Sequence, residues 1–174
     1  MVHFVGNTST DESEKDLWQT PESLYKNLDA EFDIDLDVCA SEENRKCFHF
    51  FSESHSALEH NWLDTGFNNS HLIKSAFMNP PYSQTAIFLQ RAAQQAKVNN
   101  ITVVALVNAN TDTKWFADAV KSSNEIRLIT GRIAFDASSG KKANGNTKGQ
   151  CLIIWRGNCK TPCNIVMVNR EELT

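Results

Sequence analysis

The stretch LIKSAFMNPPYSQTAIFLQRAAQQAKVNNITVVALV, residues 72–107, decides the fold because it predicts a strand, a helix and a second strand in that order. Residues 72–78 are a predicted strand that stops at residues 79–81, Asn-Pro-Pro, because proline has a fixed φ and lacks the N–H that a strand needs. Apolar side chains then recur at helical spacing between residues 86 and 96, and residues 101–107 are a continuous apolar, β-branched run. This order implies a right-handed crossover between two parallel strands.

The same alternation of strands and helices continues on both sides of this stretch. Thr20 is a predicted N-cap with Pro21 at the first helical position, and a further helix is predicted from Asp112. Strand-like segments are found at residues 32–38, 47–51, 125–129, 132–135, 151–155 and 165–168. The sequence therefore predicts an α/β fold with a mostly parallel sheet flanked by helices and with antiparallel strands at its C-terminal edge. Because ligands of such sheets bind beyond the carboxyl ends of the strands, residues 37–40 and 79–82 are expected to share one rim.

Length and composition predict one compact domain. The chain has 174 residues, of which 41% are hydrophobic, and this suits a single core. Residues 1–15 are polar and acidic without periodicity, so we expect a flexible tail before a single domain of residues 16–174. No stretch has the length of a membrane helix and no secretory signal is found, which favours a cytoplasmic protein without a membrane partner.

The cysteine and histidine patterns argue against disulfides and against a metal. The five cysteines are an odd number without framework spacing, which favours free thiols in a reducing compartment. His49, His55 and His60 lie near Cys47, but their spacing fits no standard zinc pattern. We therefore expect no metal in this protein.

Charge is distributed unevenly along the chain. The formal net charge is −4, which argues mildly against binding that depends mainly on phosphate contacts. Lys141, Lys142 and Lys148 nevertheless fall in one segment rich in Gly, Asn and Ser, with no acidic residue among them. Such a segment is either a flexible hairpin tip or a place where cations contact a nucleic-acid backbone.

The tetrad at residues 79–82 combines groups that suit a flat amine. The Asn79 amide and the Pro80 carbonyl are hydrogen-bond acceptors on a loop that Pro81 stiffens, and the Tyr82 ring follows them directly. A nucleobase with an exocyclic amino group is a ligand of this kind. The alternative is that the tetrad forms a turn and nothing more.

The tetrad resembles the signature of methyltransferases that modify planar amino groups, above all the amino DNA methyltransferases. Further blocks occur in order along the chain: LWQTP (17–21), LDVCAS (36–41), Trp62, the tetrad, DT (112–113), WF (115–116), GRIAF (131–135), NGNTKG (144–149) and LIIW (152–155). This ordered set resembles the compact phage-type DNA adenine methyltransferases, and it covers roughly residues 15–157.

The resemblance implies a class I methyltransferase fold, Rossmann-like, that binds S-adenosylmethionine and methylates the 6-amino group of adenine in double-stranded DNA. It implies that Asn79 and Pro80 accept the two N–H bonds of that amino group and that Tyr82 stacks on a base flipped out of the duplex. The other expected DNA contacts are Phe135, as a second stacking face, and Arg132, Lys141, Lys142 and Lys148. We expect no separate target-recognition domain, and a short palindrome such as GATC is the expected target. The oligomeric state stays open, with a monomer favoured, and the expected location is the cytoplasm, that of the host if the protein is phage-encoded.

The resemblance also assigns residues to the cofactor. They lie at its methionine end and in the loop after the first strand: Trp18, Thr20, Pro21, Asp37, Cys39 and Ala40. Trp18 and Trp62 are candidates for packing as well. The usual glycine-rich cofactor loop is absent, and Ser56 stands where the family tends to carry an acid, so Glu53 is the expected substitute. Two other functions stay open: methylation of another planar amine, in RNA or on a protein glutamine, and a catalytically silent nucleic-acid-binding module.

Overall fold

The structure, a computed structural model, describes residue 16 and residues 18–66, 72–137 and 146–174. The helices are α1 (Glu22–Phe32), α2 (Thr85–Asn99) and α3 (Lys114–Ser122). The strands are β1 (Leu36–Asp37), β2 (His49–Phe50), β3 (Ser75–Met78), β4 (Thr102–Asn108), β5 (Glu125–Thr130), β6 (Gln150–Arg156) and β7 (Asn164–Asn169). Single 3-10 turns lie at Tyr82–Gln84 and Arg170–Glu172.

The described strands form one mixed sheet in the order β2-β1-β3-β4-β6-β5-β7. Parallel pairs join β1 to β2, β1 to β3, β3 to β4 and β5 to β7, whereas β6 is antiparallel to both β4 and β5. The α/β fold class with a mostly parallel sheet is confirmed, and the arrangement is consistent with a class I methyltransferase fold. Because β1 and β3 are parallel neighbours that pair Asp37 with Phe77, residues 37–40 and 79–82 share one rim, as predicted.

The position of the antiparallel strand differs from the prediction. We expected antiparallel strands at the C-terminal edge, but β6 lies inside the sheet and the edge strand β7 runs parallel to β5. Burial explains this placement, because all residues of β6 except Arg156 are buried, whereas β7 is largely exposed. A strand whose two faces are both apolar is stable where helices cover both faces of the sheet and strands pair with both of its edges. The centre of a sheet meets both conditions.

Side chains that alternate along the strands face two layers of helices. On one face α1 packs Leu24 and Leu28 into a cluster that includes Phe77 and Leu106. On the other face α2 and α3 pack against the alternate side chains of β3, β4 and β6. This double cover explains why β4 is an unbroken apolar run, and it leaves the ends of the strands as the places where polar groups can gather.

Some predicted element boundaries are wrong, each for a local reason. Thr20 does not cap α1, because the helix begins at Glu22 and Pro21 occupies the cap position without a side-chain hydrogen bond. The expected strand at residues 32–38 is shorter, since Phe32 is still helical and Asp33 takes a left-handed conformation (φ 50°) that ends the helix. Residues 132–135 form no strand, and this loop begins at Gly131, whose φ of 89° glycine tolerates.

Three features of the described part of the chain concern membranes, metals and disulfides. None of its helices combines the length and apolar character required to cross a membrane. Its His, Cys, Asp and Glu side chains form no group of three or more that could hold a metal ion. The five cysteines, all within the described ranges, are unpaired.

Candidate functional site

One rim of the sheet collects most of the predicted site residues. The loops after β1, β3 and β5 leave the sheet there, because these strands run in the same direction. The segment before β6 reaches the same rim because β6 runs the opposite way, so that Gln150 pairs with Asn108 at the end of β4. The rim therefore brings together residues 37–40, 79–82, 131–137 and 146–149 from distant parts of the sequence.

The loop after β3 presents two acceptors. The Asn79 amide nitrogen Nδ2 points to the Trp18 carbonyl oxygen at 3.5 Å, and this orientation leaves Oδ1 unused. Neither Asn79 Oδ1 nor the Pro80 carbonyl accepts a hydrogen bond from any residue in the described ranges, whereas the Pro81 carbonyl accepts one from the Gln84 N–H (2.9 Å). Two neighbouring acceptors thus lack protein donors at the carboxyl end of a buried strand, which leaves them available to an amino group.

Tyr82 stands beside these acceptors and is held by Asp16. The Asp16 carboxylate accepts hydrogen bonds from the Tyr82 N–H (2.6 Å), the Ser83 N–H (3.4 Å) and the Ser83 hydroxyl (2.7 Å). Burial, and then the charge of Asp16, raise the pKa of Tyr82 to about 12, so the phenol stays neutral at physiological pH. The sequence did not predict a role for Asp16. The contact joins residues 66 positions apart, and no local sequence pattern indicates such a contact.

Trp18 lies against both aromatic rings that were predicted to stack on a base. Its ring stacks on Phe135 (centroids 5.9 Å apart, 24° between planes) and meets Tyr82 edge-on (6.2 Å, 82°). Phe135 has no exposed surface, so a base can stack on it only if Trp18 moves. Backbone hydrogen bonds between Gln19 and Asp136 (2.7 and 3.0 Å) fasten the Trp18 segment to the loop after β5.

The predicted cofactor residues lie on the neighbouring part of the rim. Thr20 and Pro21 are buried just before α1, and Cys39 and Ala40 are half-buried in the loop after β1. The Asp37 side chain is 4% exposed and accepts backbone N–H bonds from Lys46 (3.0 Å) and Cys39 (3.4 Å). The Asp37 carboxylate therefore holds the loop at residues 39–46 in place.

The environment of Asp37 predicts an unusual dependence of stability on pH. Burial raises its pKa from 3.8 to about 6, although the N–H groups of Lys46 and Cys39 oppose the shift. A carboxyl with a raised pKa contributes stability that is complete below the unfolded value and is lost as pH rises through the folded value. Relative to Asp37→Asn, we expect the wild-type free energy of unfolding to fall by about 3 kcal/mol between roughly pH 3 and pH 7.

Urea unfolding of both proteins across this pH range measures the difference. Other titrating groups contribute equally to the two proteins, so the difference isolates Asp37. A difference that stays constant, or that favours the wild type more as pH rises, would contradict the raised pKa.

The predicted substitute for the missing acid is exposed. Glu53 lies in the loop after β2, where its carboxylate makes no hydrogen bond or ion pair with the residues that the structure describes. Ser56 is occupied locally, because its hydroxyl accepts the Leu58 N–H (3.3 Å). Phe51, next to this loop, is fully buried and stacks on His55 (5.1 Å between centroids, 19° between planes). This contact anchors the loop to the core.

Basic side chains on the rim differ from the two arginines on β5 and β6. Arg132 and Lys148 are exposed, and neither forms an ion pair within the described ranges. Arg127 and Arg156, by contrast, both pair with Glu125 (2.6 and 2.8 Å). Lys114, which the sequence did not single out, is also exposed where α3 begins at the same rim. Lys141 and Lys142 lie outside the described residues.

Two amide side chains close the rim between β4 and β6. Gln150 is 1% exposed, and its Nε2 donates to Asn108 Oδ1 (2.7 Å). Its Oε1 is buried and accepts no hydrogen bond from the described residues. The Asn146 amide donates to the Ile133 carbonyl (2.9 Å), which joins the segment before β6 to the loop after β5. These contacts were not predictable from the sequence, because they depend on the position of β6.

Comparison with known proteins gives consistent matches. Residues 7–174 match the family described as DNA N-6-adenine-methyltransferase (Dam). The chain is similar to the DNA N-6-adenine-methyltransferase of Haemophilus phage HP1, with 36% identity over 156 residues that cover 87% of this chain and 85% of the relative. It is also similar to the DNA N-6-adenine-methyltransferase of Escherichia phage T1, with 34% identity over 166 residues, 86% of this chain and 66% of the relative.

Proposed function

This chain belongs to the DNA N-6-adenine-methyltransferase (Dam) family and methylates the 6-amino group of adenine in DNA, and from that premise we propose that its methyl donor is S-adenosylmethionine. When bound, this donor supplies an electrophilic methyl group on a positively charged sulfonium. Acidic side chains at the end of β1 and in the loop after β2, Asp37 and Glu53, suit a ligand that carries a sulfonium and an ammonium. The half-buried, small residues Cys39 and Ala40 leave room for it without glycines.

The two acceptors of the tetrad, which have no donor among the described residues, carry the catalytic part of the proposal. The lone pair of the adenine amino nitrogen is delocalised into the ring, so this nitrogen is a poor nucleophile. Asn79 Oδ1 and the Pro80 carbonyl accept its two N–H bonds, which favours a pyramidal nitrogen with its lone pair directed at the methyl group. Positioned acceptors of this kind stabilise the positive charge that develops on the nitrogen during transfer, and its proton leaves to solvent.

The aromatic residues on the rim suit a base that has left the duplex. Adenine inside a duplex is stacked and paired, so the enzyme must flip it out. Tyr82 is partly exposed next to Asn79 and is the first ring that such a base meets. Phe135 becomes the second face when Trp18 moves out of the gap.

DNA backbone contacts are proposed for Arg132, Lys141, Lys142 and Lys148. Replacing Lys141 and Lys142 together by alanine is expected to weaken DNA binding and to reduce the slope of log K against log salt by about 2, because each phosphate contact releases counterions. Fluorescence anisotropy with a labelled duplex at several salt concentrations measures the slope. The matched control is the pair Lys97→Ala and Lys160→Ala, at the opposite end of the sheet, and an unchanged slope in the Lys141 and Lys142 variant would remove that segment from the interface.

A transfer assay tests the proposed function as a whole. The protein is incubated with methyl-labelled S-adenosylmethionine and, in parallel, with duplex DNA, RNA or protein. We expect label in DNA alone, as 6-methyladenine, and protection of GATC sites from a methylation-sensitive restriction enzyme. Label in RNA or protein but not in DNA would overturn the proposal, and methylation at other adenines would overturn the GATC assignment alone.

A further inference from the structure

We propose that Asp16 is a positioning residue that sets the geometry of the catalytic tetrad, an inference that rests on the proposed role of Asn79 and Pro80. Its carboxylate accepts three hydrogen bonds from the residues directly after the prolines, two of them at Tyr82 N–H (2.6 Å) and the Ser83 hydroxyl (2.7 Å). Hydrogen bonds to an ionised carboxylate at such distances are among the strong ones in proteins.

The turn that begins at the last residue of the tetrad has no side-chain cap at its own N-cap position. The 3-10 turn Tyr82–Gln84 has Pro81 at its N-cap, without a side-chain hydrogen bond. The N–H groups at the start of a helical turn have no partner within it, and a proline side chain cannot accept a hydrogen bond. Asp16, 66 residues before Tyr82 in the same chain, supplies the missing acceptor. Its carboxylate therefore caps the turn as an N-cap side chain would.

Asp16 and Trp18, in the segment before α1, contact the tetrad at its two ends. Asp16 holds the backbone after Pro81, and the Trp18 carbonyl orients the Asn79 amide before Pro80. The same segment includes Thr20, a proposed donor contact. The two acceptors are therefore fixed relative to the segment that faces the methyl donor, and Asp16 couples the placement of the amino group to the placement of the methyl group.

A purely stabilising role would produce a different result. A lost cap lowers Tm by a few degrees and leaves the chemistry of the folded molecules intact. A positioning role affects the transfer step, because a displacement of about 1 Å can reduce a rate by roughly 100-fold. The two roles are therefore separable by measuring kcat, binding constants and Tm on the same variants.

The test uses Asp16→Asn, which keeps the size of the side chain and removes its charge and one acceptor oxygen. We expect kcat to fall about 10-fold to 100-fold, with donor and DNA dissociation constants within about threefold of wild type. A duplex with 2-aminopurine at the target position should still show the fluorescence increase of a flipped base. Ser83→Ala removes only the hydroxyl contact and should show a smaller loss of kcat in the same direction.

Matched variants separate the possible failures. Asp118→Asn changes an exposed acid on α3 and should leave kcat unchanged. If Asn79→Ala retains turnover, the proposed function of the tetrad fails. If Asn79→Ala loses turnover while Asp16→Asn keeps kcat within about twofold, the inference about Asp16 is wrong and the proposed function stands. A loss of kcat in Asp16→Asn that is matched by equal losses of donor and DNA affinity would also overturn the inference about Asp16.

Discussion

Replacement of Asn79 by alanine is expected to reduce kcat by about 100-fold to 1,000-fold while the affinity for the methyl donor changes by less than about threefold. The Asn79 Oδ1 atom accepts no hydrogen bond from the described residues, so the substitution breaks no internal contact through that atom. Its proposed bond to the adenine N–H strengthens as positive charge develops on the nitrogen. An interaction of this kind lowers the barrier to transfer more than it improves binding of the ground state.

Two further variants sharpen this test. Asn79→Asp keeps an acceptor oxygen at the same position and loses the Nδ2 donor to Trp18, so its kcat should lie between those of wild type and Asn79→Ala. Asn158→Ala changes an exposed asparagine in the turn after β6, at the opposite end of the sheet, and should leave transfer unchanged. Single-turnover kinetics report the transfer step, and calorimetry reports donor affinity. Equal losses of both in Asn79→Ala would mean that the loop has a structural role.

Replacement of Trp62 by alanine is expected to reduce the free energy of unfolding by about 3 to 5 kcal/mol. The Trp62 ring is fully buried in the cluster under α2, and its Nε1 donates to the Ala57 carbonyl (2.9 Å). Its backbone N–H donates to the Gln95 side chain (2.8 Å), so the residue joins the segment before β3 to α2. Alanine leaves a cavity the size of an indole and removes one of the two hydrogen bonds to the Ala57 carbonyl, the other being donated by Arg91 Nε (3.3 Å).

Urea unfolding of three variants tests the packing role of Trp62. Trp62→Phe fills most of the space but lacks the N–H, so a smaller loss of about 1 to 3 kcal/mol is expected. Trp115→Ala removes a tryptophan that is only partly buried and should cost less than Trp62→Ala. Methyl transfer per folded molecule should be unchanged at a temperature where Trp62→Ala is folded. A selective loss of transfer would assign Trp62 to the site instead of the core.

The part of the fold that was predictable from the sequence is the part with strong local signals. The prolines end β3 wherever it packs, and the apolar run of β4 needs cover on both faces, so both elements follow from residues close together in the chain. A helix between these two strands then requires parallel pairing. The rim shared by Asp37 and Asn79 follows from that topology, which is why it was predicted before any contact was known.

The remaining features depend on contacts between distant residues. The sequence of β6 does not predict that it inserts between β4 and β5, because its apolar run suits any central position in a sheet. Asp16 resembles any other acid in a polar segment until the structure places it on the turn after the tetrad. Trp18 has an apolar ring that suits packing or a ligand, and only its contact with both Tyr82 and Phe135 shows that it separates the two rings.

The interior position of β6 affects how the protein folds while it is being synthesised. β4 pairs with β6 along its whole length, yet β6 begins roughly 40 residues after β4 ends. A ribosome adds about 5 to 20 residues per second. One edge of β4 therefore stays unpaired for about 2 to 8 seconds before β6 has been synthesised. An unpaired edge of this kind invites pairing with other nascent chains. The speed of translation and the supply of chaperones therefore help to set the yield of folded enzyme.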